Sequence, residues 1–215
     1  DAEIGVVAGA EYAWVDGVRT DEMRRSAGVL GLTPEWRGRW ERSETPRRAF
    51  GVSGSMPLMR RAMIDDLVSL DGYIYDQRFG TGYEDLDLWF RMQHRGWTAL
   101  FVPAARAWHV GSHSAGGASG FLDKSGPYQR RLFRNRRLVW MKNATSGIRR
   151  RCGLRWHLFE TLLPAYLLLR SPRSFRAWAG GRADARRLAA EMAVDRARIE
   201  ADARVPEEAI LRYIR

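Results

Sequence analysis

Hydrophobic and polar positions divide the chain into a strand-rich first part and a helix-rich second part. Residues 4–8 form a short apolar run, which predicts a buried strand, and residues 12–15 predict another. Asp16-Gly17 is a hairpin turn signal leading into a short strand at 18–20. From Asp21 to Arg48 the pattern is polar and Arg-rich, broken by Gly28, Gly31, Pro34, Gly38 and Pro46, and reads as a surface segment. Residues 50–59 predict a strand with small residues at its centre. A glycine inside a strand often marks the close approach of a backbone or ligand, which singles out Gly54 and its neighbour Ser55. A short helix is expected at 62–70, ended by Asp71-Gly72. Strands are expected at 98–102 and 106–110, on either side of Pro103.

The chain is organised around Tyr83-Glu84-Asp85-Leu86-Asp87-Leu88-Trp89-Phe90-Arg91. Leu86, Trp89, Phe90 and Gln93 fall at i, i+3, i+4 and i+7, one face of a helix. The helix is expected to begin near Glu84, after the Gly80-Thr81-Gly82 turn, and to stop at Gly96. Glu84 and Asp85 then sit in its first turn, where free amides and the helix dipole favour ionised carboxylates. Asp85-Leu86-Asp87 spells Asp-x-Asp. Residues i and i+2 of a helix point about 200° apart, so these two carboxylates do not converge on one ion. Asp87 is expected to cap the helix or to pair with Arg91.

The second part is helical. In the helix expected at 127–143, Tyr128, Leu132, Phe133, Val139 and Trp140 share a face ringed by arginines. Residues 156–169 are apolar but too short, and too interrupted by Glu160 and Pro164, for a membrane span. Flanking arginines with internal Trp and Tyr suit either a helix lying in a lipid interface or a tail helix packed on the domain. A long Ala/Arg helix follows at 171–199, and Pro206 begins a last short one. Between the two parts, the Gly/Ser-rich residues 111–120 suit a lid that orders on substrate.

Composition narrows the classes. At 215 residues with 45% hydrophobic content the chain can bury a real core. Its formal net charge of +11 is carried almost wholly by arginine, the only lysines being Lys124 and Lys142. Such a surface suits diphosphates, acidic lipid headgroups or nucleic acid. Cys152 is alone, so no intrachain disulfide forms. No secretory signal is visible, and neither a Gly-rich phosphate loop nor a nucleotide-binding βαβ unit is evident. The chain opens on Asp1-Ala2-Glu3 and enters a strand at once, so a fragment of a longer protein is expected.

The order of signals, from Gly54 and Leu58-Met59-Arg60-Arg61 through Leu70-Asp71-Gly72-Tyr73-Ile74-Tyr75-Asp76, Glu84-Asp85-Leu86-Asp87-Leu88, Arg91, Gly96-Trp97 and Val102-Pro103 to Trp108-His109, resembles family-2 glycosyltransferases of the GT-A fold. The rhamnosyl- and galactofuranosyltransferase-like bacterial members are the nearest in pattern. The resemblance runs from about Ile4 to Arg134-Asn135-Arg136 and implies an α/β fold. It places the acceptor-binding half of a GT-A domain at 1–121 and a C-terminal helical region at 122–215. It implies inverting transfer from a nucleotide-sugar donor to a glycan or lipid-linked acceptor, with a divalent metal, Mn²⁺ or Mg²⁺, on the diphosphate. By the same resemblance Asp85 is the base and Glu84 orients it or the acceptor. His109, a neutral imidazole suited to Mn²⁺, joins the metal, while Gly54, Ser55, Trp108 and His113 border the acceptor. The helix dipole is expected to keep Asp85 ionised and therefore a weak base, making proton transfer late. The donor-side Asp-x-Asp half is missing, so this chain alone is expected to be inactive. An anionic membrane surface on the cytoplasmic side is the expected location.

Two other classes fit less well. The charge and the Arg/aromatic mixture suit a nucleic-acid-binding module, but no such motif appears and an acidic cluster lies mid-chain, so no nucleic-acid partner is expected. A hydrolase needs two carboxyls about 5 to 9 Å apart across a sugar, whereas Glu84 and Asp85 are neighbours that diverge.

Overall fold

The computed structural model describes residues 2–23, 29–32, 38–110 and 121–214. The two runs of apolar residues near the start join into one strand, β1 (Ile4–Val15). Asp16 and Gly17 both take positive φ (49° and 81°) and turn the chain into β2 (Val18–Met23), as the Asp-Gly signal requires. The polar segment that follows contains the hairpin β3 (Val29–Leu32) and β4 (Gly38–Glu41), then β5 (Arg47–Ala49). After β6 (Leu58–Met59) come α1 (Arg61–Asp71), α2 (Glu84–His94) and the long strand β7 (Thr98–His109).

The sheet order is β2-β1-β7-β5, with β6 on the same edge of β1 as β2. β1 and β7 run parallel at its centre, and β5 is antiparallel to β7. The two strands expected around Pro103 are thus one. The break survives as a register shift opposite Gly9 and Ala10, where Val102 and Arg106 are the consecutive partners. A Cβ on Gly9 would overlap the Ala105 carbonyl of that bulge.

Of the strand expected at 50–59 only the end forms, as β6 (Leu58–Met59). Trp89 Nε1–H donates to the Val52 carbonyl at 3.0 Å, and Gln93 Nε2–H donates to Ala49 and Phe50 at 3.2 and 2.9 Å. With these carbonyls held by α2, residues 50–52 pack as a buried stretch outside the ladder, and 53–57 continue as a more exposed loop.

The helical part opens with a 3₁₀ turn, Phe121–Asp123, followed by α3 (Gly126–Asn143) and α4 (Ser146–Arg170). The long helix expected at 171–199 is two, α5 (Pro172–Arg187) and α6 (Ala189–Ala201), which meet at Leu188, a residue packed against the core. α7 (Glu208–Leu211) closes the chain. The architecture is an α/β domain followed by helices, the class expected from sequence. One buried cluster runs from Val6 and Phe101 in the sheet through Trp89 and Phe90 in α2 to Val139, Trp156 and Ile210. Among the described residues no helix is long and apolar enough to cross a membrane.

Candidate active site

α2 begins and ends where its local signals say. Gly96 (φ 84°) turns the chain after its last residues, and Tyr83 caps its start in the left-handed region (φ 71°). A non-glycine residue there is strained, and strain of this kind gathers at functional sites. The helix is buried on every side from Leu86 to His94, not along one face. Its polar residues are therefore satisfied internally. Asp87, fully buried, receives Arg91 Nε–H at 2.9 Å, Lys142 Nζ–H at 2.9 Å and Asn143 Nδ2–H at 2.9 Å. Lys142 also reaches Asp76 at 2.8 Å, and Arg91 reaches Asp71 at 2.9 Å. The pairing of Asp87 with Arg91 is as expected. These cations hold its carboxyl below the usual range of acids despite burial.

The first turn of α2 faces a cleft of about 560 Å³ walled by Ser53, Gly54, Ser55, Tyr75, Gly80, Glu84 and Asp85. Asp85 Oδ1 accepts the Leu86 N–H at 2.7 Å. A Cβ at Gly54 would lie 2.9 Å from Asp85 Oδ2 and 3.1 Å from its Cβ, so only a glycine lets the loop sit against this carboxyl. Burial, and then the charge of Glu84, push Asp85 up to about 6, although the amide bonds at the helix start pull the other way. This corrects the expectation of a dipole-stabilised, weakly basic carboxylate: desolvation outweighs the dipole. Glu84 Oε2 is buried with no hydrogen-bond partner among the described residues. Tyr75 stands beside both acids, and burial with their charges raises its phenol above the ordinary value.

His109 ends β7, paired with Ala13 near the end of β1. Its Nδ1 lies 3.0 Å from Oε1 of Glu11, which is buried at 2% exposure. The other carboxylate oxygen of Glu11 accepts from Ser53 Oγ at 3.1 Å and from Ser55 Oγ. A carboxylate accepts only, so Nδ1 donates and Nε2 is left as the ligating nitrogen. A carboxylate-backed imidazole is a common way to orient a metal-binding histidine, so His109 fits the role of a single ligand. Among the described residues no three His, Cys, Asp or Glu side chains gather as a metal site. Trp108 points to the opposite face of the sheet, as strand alternation requires. Its Nε1–H donates to the Thr20 carbonyl at 2.9 Å, and its ring sits by Tyr12 and under Arg19, away from the walls of the cleft. His113 and the glycine-rich 111–120 lie outside the described residues.

The family model of glycosyltransferase-like family 2 matches residues 23–134, more than half of the chain, including the cleft, α2 and β7. The chain belongs to the family-2 glycosyltransferases. It is 35% identical over 79 residues to the N-acetylglucosaminyl-diphospho-decaprenol L-rhamnosyltransferase of Mycobacterium tuberculosis, in both strain CDC 1551 / Oshkosh and strain ATCC 25618 / H37Rv. That stretch covers 36% of this chain and 24% of the relative, so the match spans about a quarter of the curated relatives' length.

In this family-2 chain two members of the Arg134-Asn135-Arg136 triplet have a visible purpose. Asn135, fully buried, donates Nδ2–H to the carbonyls of Phe79 at 2.8 Å and Gly82 at 2.5 Å, and Arg134 donates to Arg78 and Phe79 at 3.0 and 2.9 Å. α3 thereby clamps the Gly80–Gly82 turn that presents Glu84 and Asp85. Residues that sequence reasoning missed are Glu11, Ser53, Tyr75 and Gly80. Glu11 had a signal, being a lone acid in an apolar strand run, where charge is rarely buried without a task. Tyr75 and Gly80 had none, because their place on the cleft depends on how α3 folds the loop.

Proposed function

We propose that this chain supplies the acceptor side of an inverting glycosyltransferase that moves a sugar from a nucleotide-sugar donor to a glycan or lipid-linked acceptor. The observation that carries this reading is the Asp85 carboxyl. It lines an open cleft, is pushed up to about 6 by burial and Glu84, and is packed against Gly54. A carboxyl in that range is ionised at neutral pH and more basic than an ordinary aspartate, which suits a general base. Asp85 takes the acceptor hydroxyl proton at Oδ2, the oxygen beside Gly54. Glu84 and Ser55 hold neighbouring hydroxyls, and Tyr75 offers a ring face to the sugar.

His109, oriented by Glu11, contributes one ligand to a Mn²⁺ or Mg²⁺ ion. The metal, when bound, stabilises charge on the leaving diphosphate. On this reading 1–121 hold the acceptor-binding half, and 122–215 buttress it and face an anionic cytoplasmic membrane surface. The rhamnosyltransferase relatives, whose name includes a diphospho-decaprenol, favour a lipid-linked acceptor and a task in bacterial envelope biosynthesis.

The test is nucleoside diphosphate release from a panel of nucleotide sugars with Mn²⁺ or Mg²⁺. The 215-residue chain and its full reading frame are compared, each with Asp85 or Asp85→Asn. Release by the full reading frame that collapses in folded Asp85→Asn protein is expected, with none from the 215 residues alone. Undiminished release in the variant moves the base elsewhere. No release with any donor, alongside salt-dependent oligonucleotide binding, replaces the reading with a nucleic-acid module.

A further inference from the structure

Beside the cleft lies a second opening of different chemistry. A groove of about 410 Å³ runs between α3, α4 and the 3₁₀ turn, walled by Tyr83, Leu132, Phe133, Phe159, Leu163 and Tyr166 among others. Among the described residues the one charged residue in its lining, Arg136, is bound by Glu160 and covered by the Trp156 and Phe159 rings at 4.6 and 4.7 Å. It therefore presents little charge to an occupant. Phe121 and Tyr166 stand at the mouth with 40% and 52% of their surfaces in water.

The groove and the cleft share a wall. Tyr83 lines the groove, and the next residue, Glu84, lines the cleft. Tyr83 is the strained cap of α2, so backbone geometry fixes the join. On the adjoining face of α4, Leu154, Leu158, Leu162 and Leu169 are exposed. The exposed Arg150, Arg151 and Arg155 lie towards one end of this apolar face, and Arg170 and Arg173 towards the other. Apolar surface bounded by cations complements a molecule with a hydrocarbon body and a phosphate head.

We infer that this groove receives the hydrocarbon chain of the acceptor, at the isoprenoid units next to its diphosphate, so that the sugar beyond the diphosphate reaches Asp85. The inference rests on the proposed lipid-linked acceptor. The volume lies in the range of small-ligand sites and is too small for a long polyprenol. The remaining chain stays in the bilayer beside the exposed leucines of α4.

The test measures binding of dimethylallyl, geranyl and farnesyl diphosphate to the 215-residue chain by calorimetry, with inorganic pyrophosphate as the control. The buried chain is expected to raise affinity at least about tenfold from the five-carbon to the fifteen-carbon probe. Tyr166→Glu is expected to erase that gain, and Leu158→Glu, on the outer face of α4, to leave it. Phe121→Ser, on the opposite lip, serves if Tyr166→Glu does not fold. Affinity independent of chain length overturns the inference, as does loss of the gain in Leu158→Glu alone. The readout needs no turnover, so it is separable from the transferase reading. Sugar transfer to a water-soluble acceptor with no chain-length gain retires the groove only, and a chain-length gain with no transfer retires the transferase only.

Discussion

His109 Nδ1 meets the buried Glu11 carboxylate at 3.0 Å, across two parallel strands whose residues are 98 positions apart. The contact fixes the imidazole tautomer and turns Nε2 outward. Glu11→Gln keeps the shape but replaces the charged acceptor behind the ring with a neutral amide. Mn²⁺ affinity is expected to fall about 10- to 100-fold, read by electron paramagnetic resonance titration, with the thermal midpoint little changed. Unchanged affinity would remove Glu11 from the metal's support.

Asp85 has opposite effects on stability and on catalysis. Its folded-state pKa of about 6 is above the ordinary 3.8, so its contribution to stability is greatest below pH 4 and is lost as pH rises through 6. Asp85→Asn is therefore expected to gain on the order of 3 kcal/mol at pH 7 while abolishing transfer. His94 runs the other way. Burial pushes it down to about 4 from 6.5, so its contribution is present above 6.5 and lost as pH falls towards 4. The two nearly cancel in the native protein. The check is the difference in denaturant unfolding between native and variant, which should shrink as pH falls from 7 to 4.

If Asp85 is the base, its ionised form takes the proton, and kcat/KM is expected to rise about tenfold per pH unit below 6 and to level off above it. A flat profile between pH 5 and 7 would point to another base.

Gly54→Ala places a methyl against Asp85 Oδ2 and Cβ. The loop is open to the cleft and can shift, so the expected cost is in chemistry rather than folding. The prediction is a kcat loss on the order of 10²-fold with a thermal midpoint near native, as a displacement of about 1 Å at a reacting group can produce.

Asp87→Ala leaves Lys142 and Arg91 buried without their shared carboxylate. Stability is expected to fall by about 3–5 kcal/mol in denaturant unfolding. The depressed acids Asp76 and Asp87 stabilise above their ordinary 3.8, and that stability is lost as pH falls below it.

Local chemistry made α2 readable in advance. Its apolar spacing, its acidic first turn and Gly96 set its limits, and Asp16-Gly17 set the hairpin, because these signals act through a few neighbouring dihedrals and amides. The length of β7 was not readable. Pro103 argued for a break, and only pairing with β1 shows that the sheet absorbs it as a bulge.

The sequence by itself determined the family, the class of an α/β part followed by helices, and the placement of Glu84 and Asp85 at a helix start. Tertiary structure decided what those acids are worth. The basicity of Asp85 comes from desolvation by the Gly54 loop and from the charge of Glu84. The chain at 50–52 leaves the ladder because Trp89 and Gln93 of α2 take carbonyls there, and the Gly80–Gly82 turn is held by Asn135 from more than fifty residues away. Desolvation and charge pairing depend on which groups lie within a few ångströms, and only the folded chain fixes that.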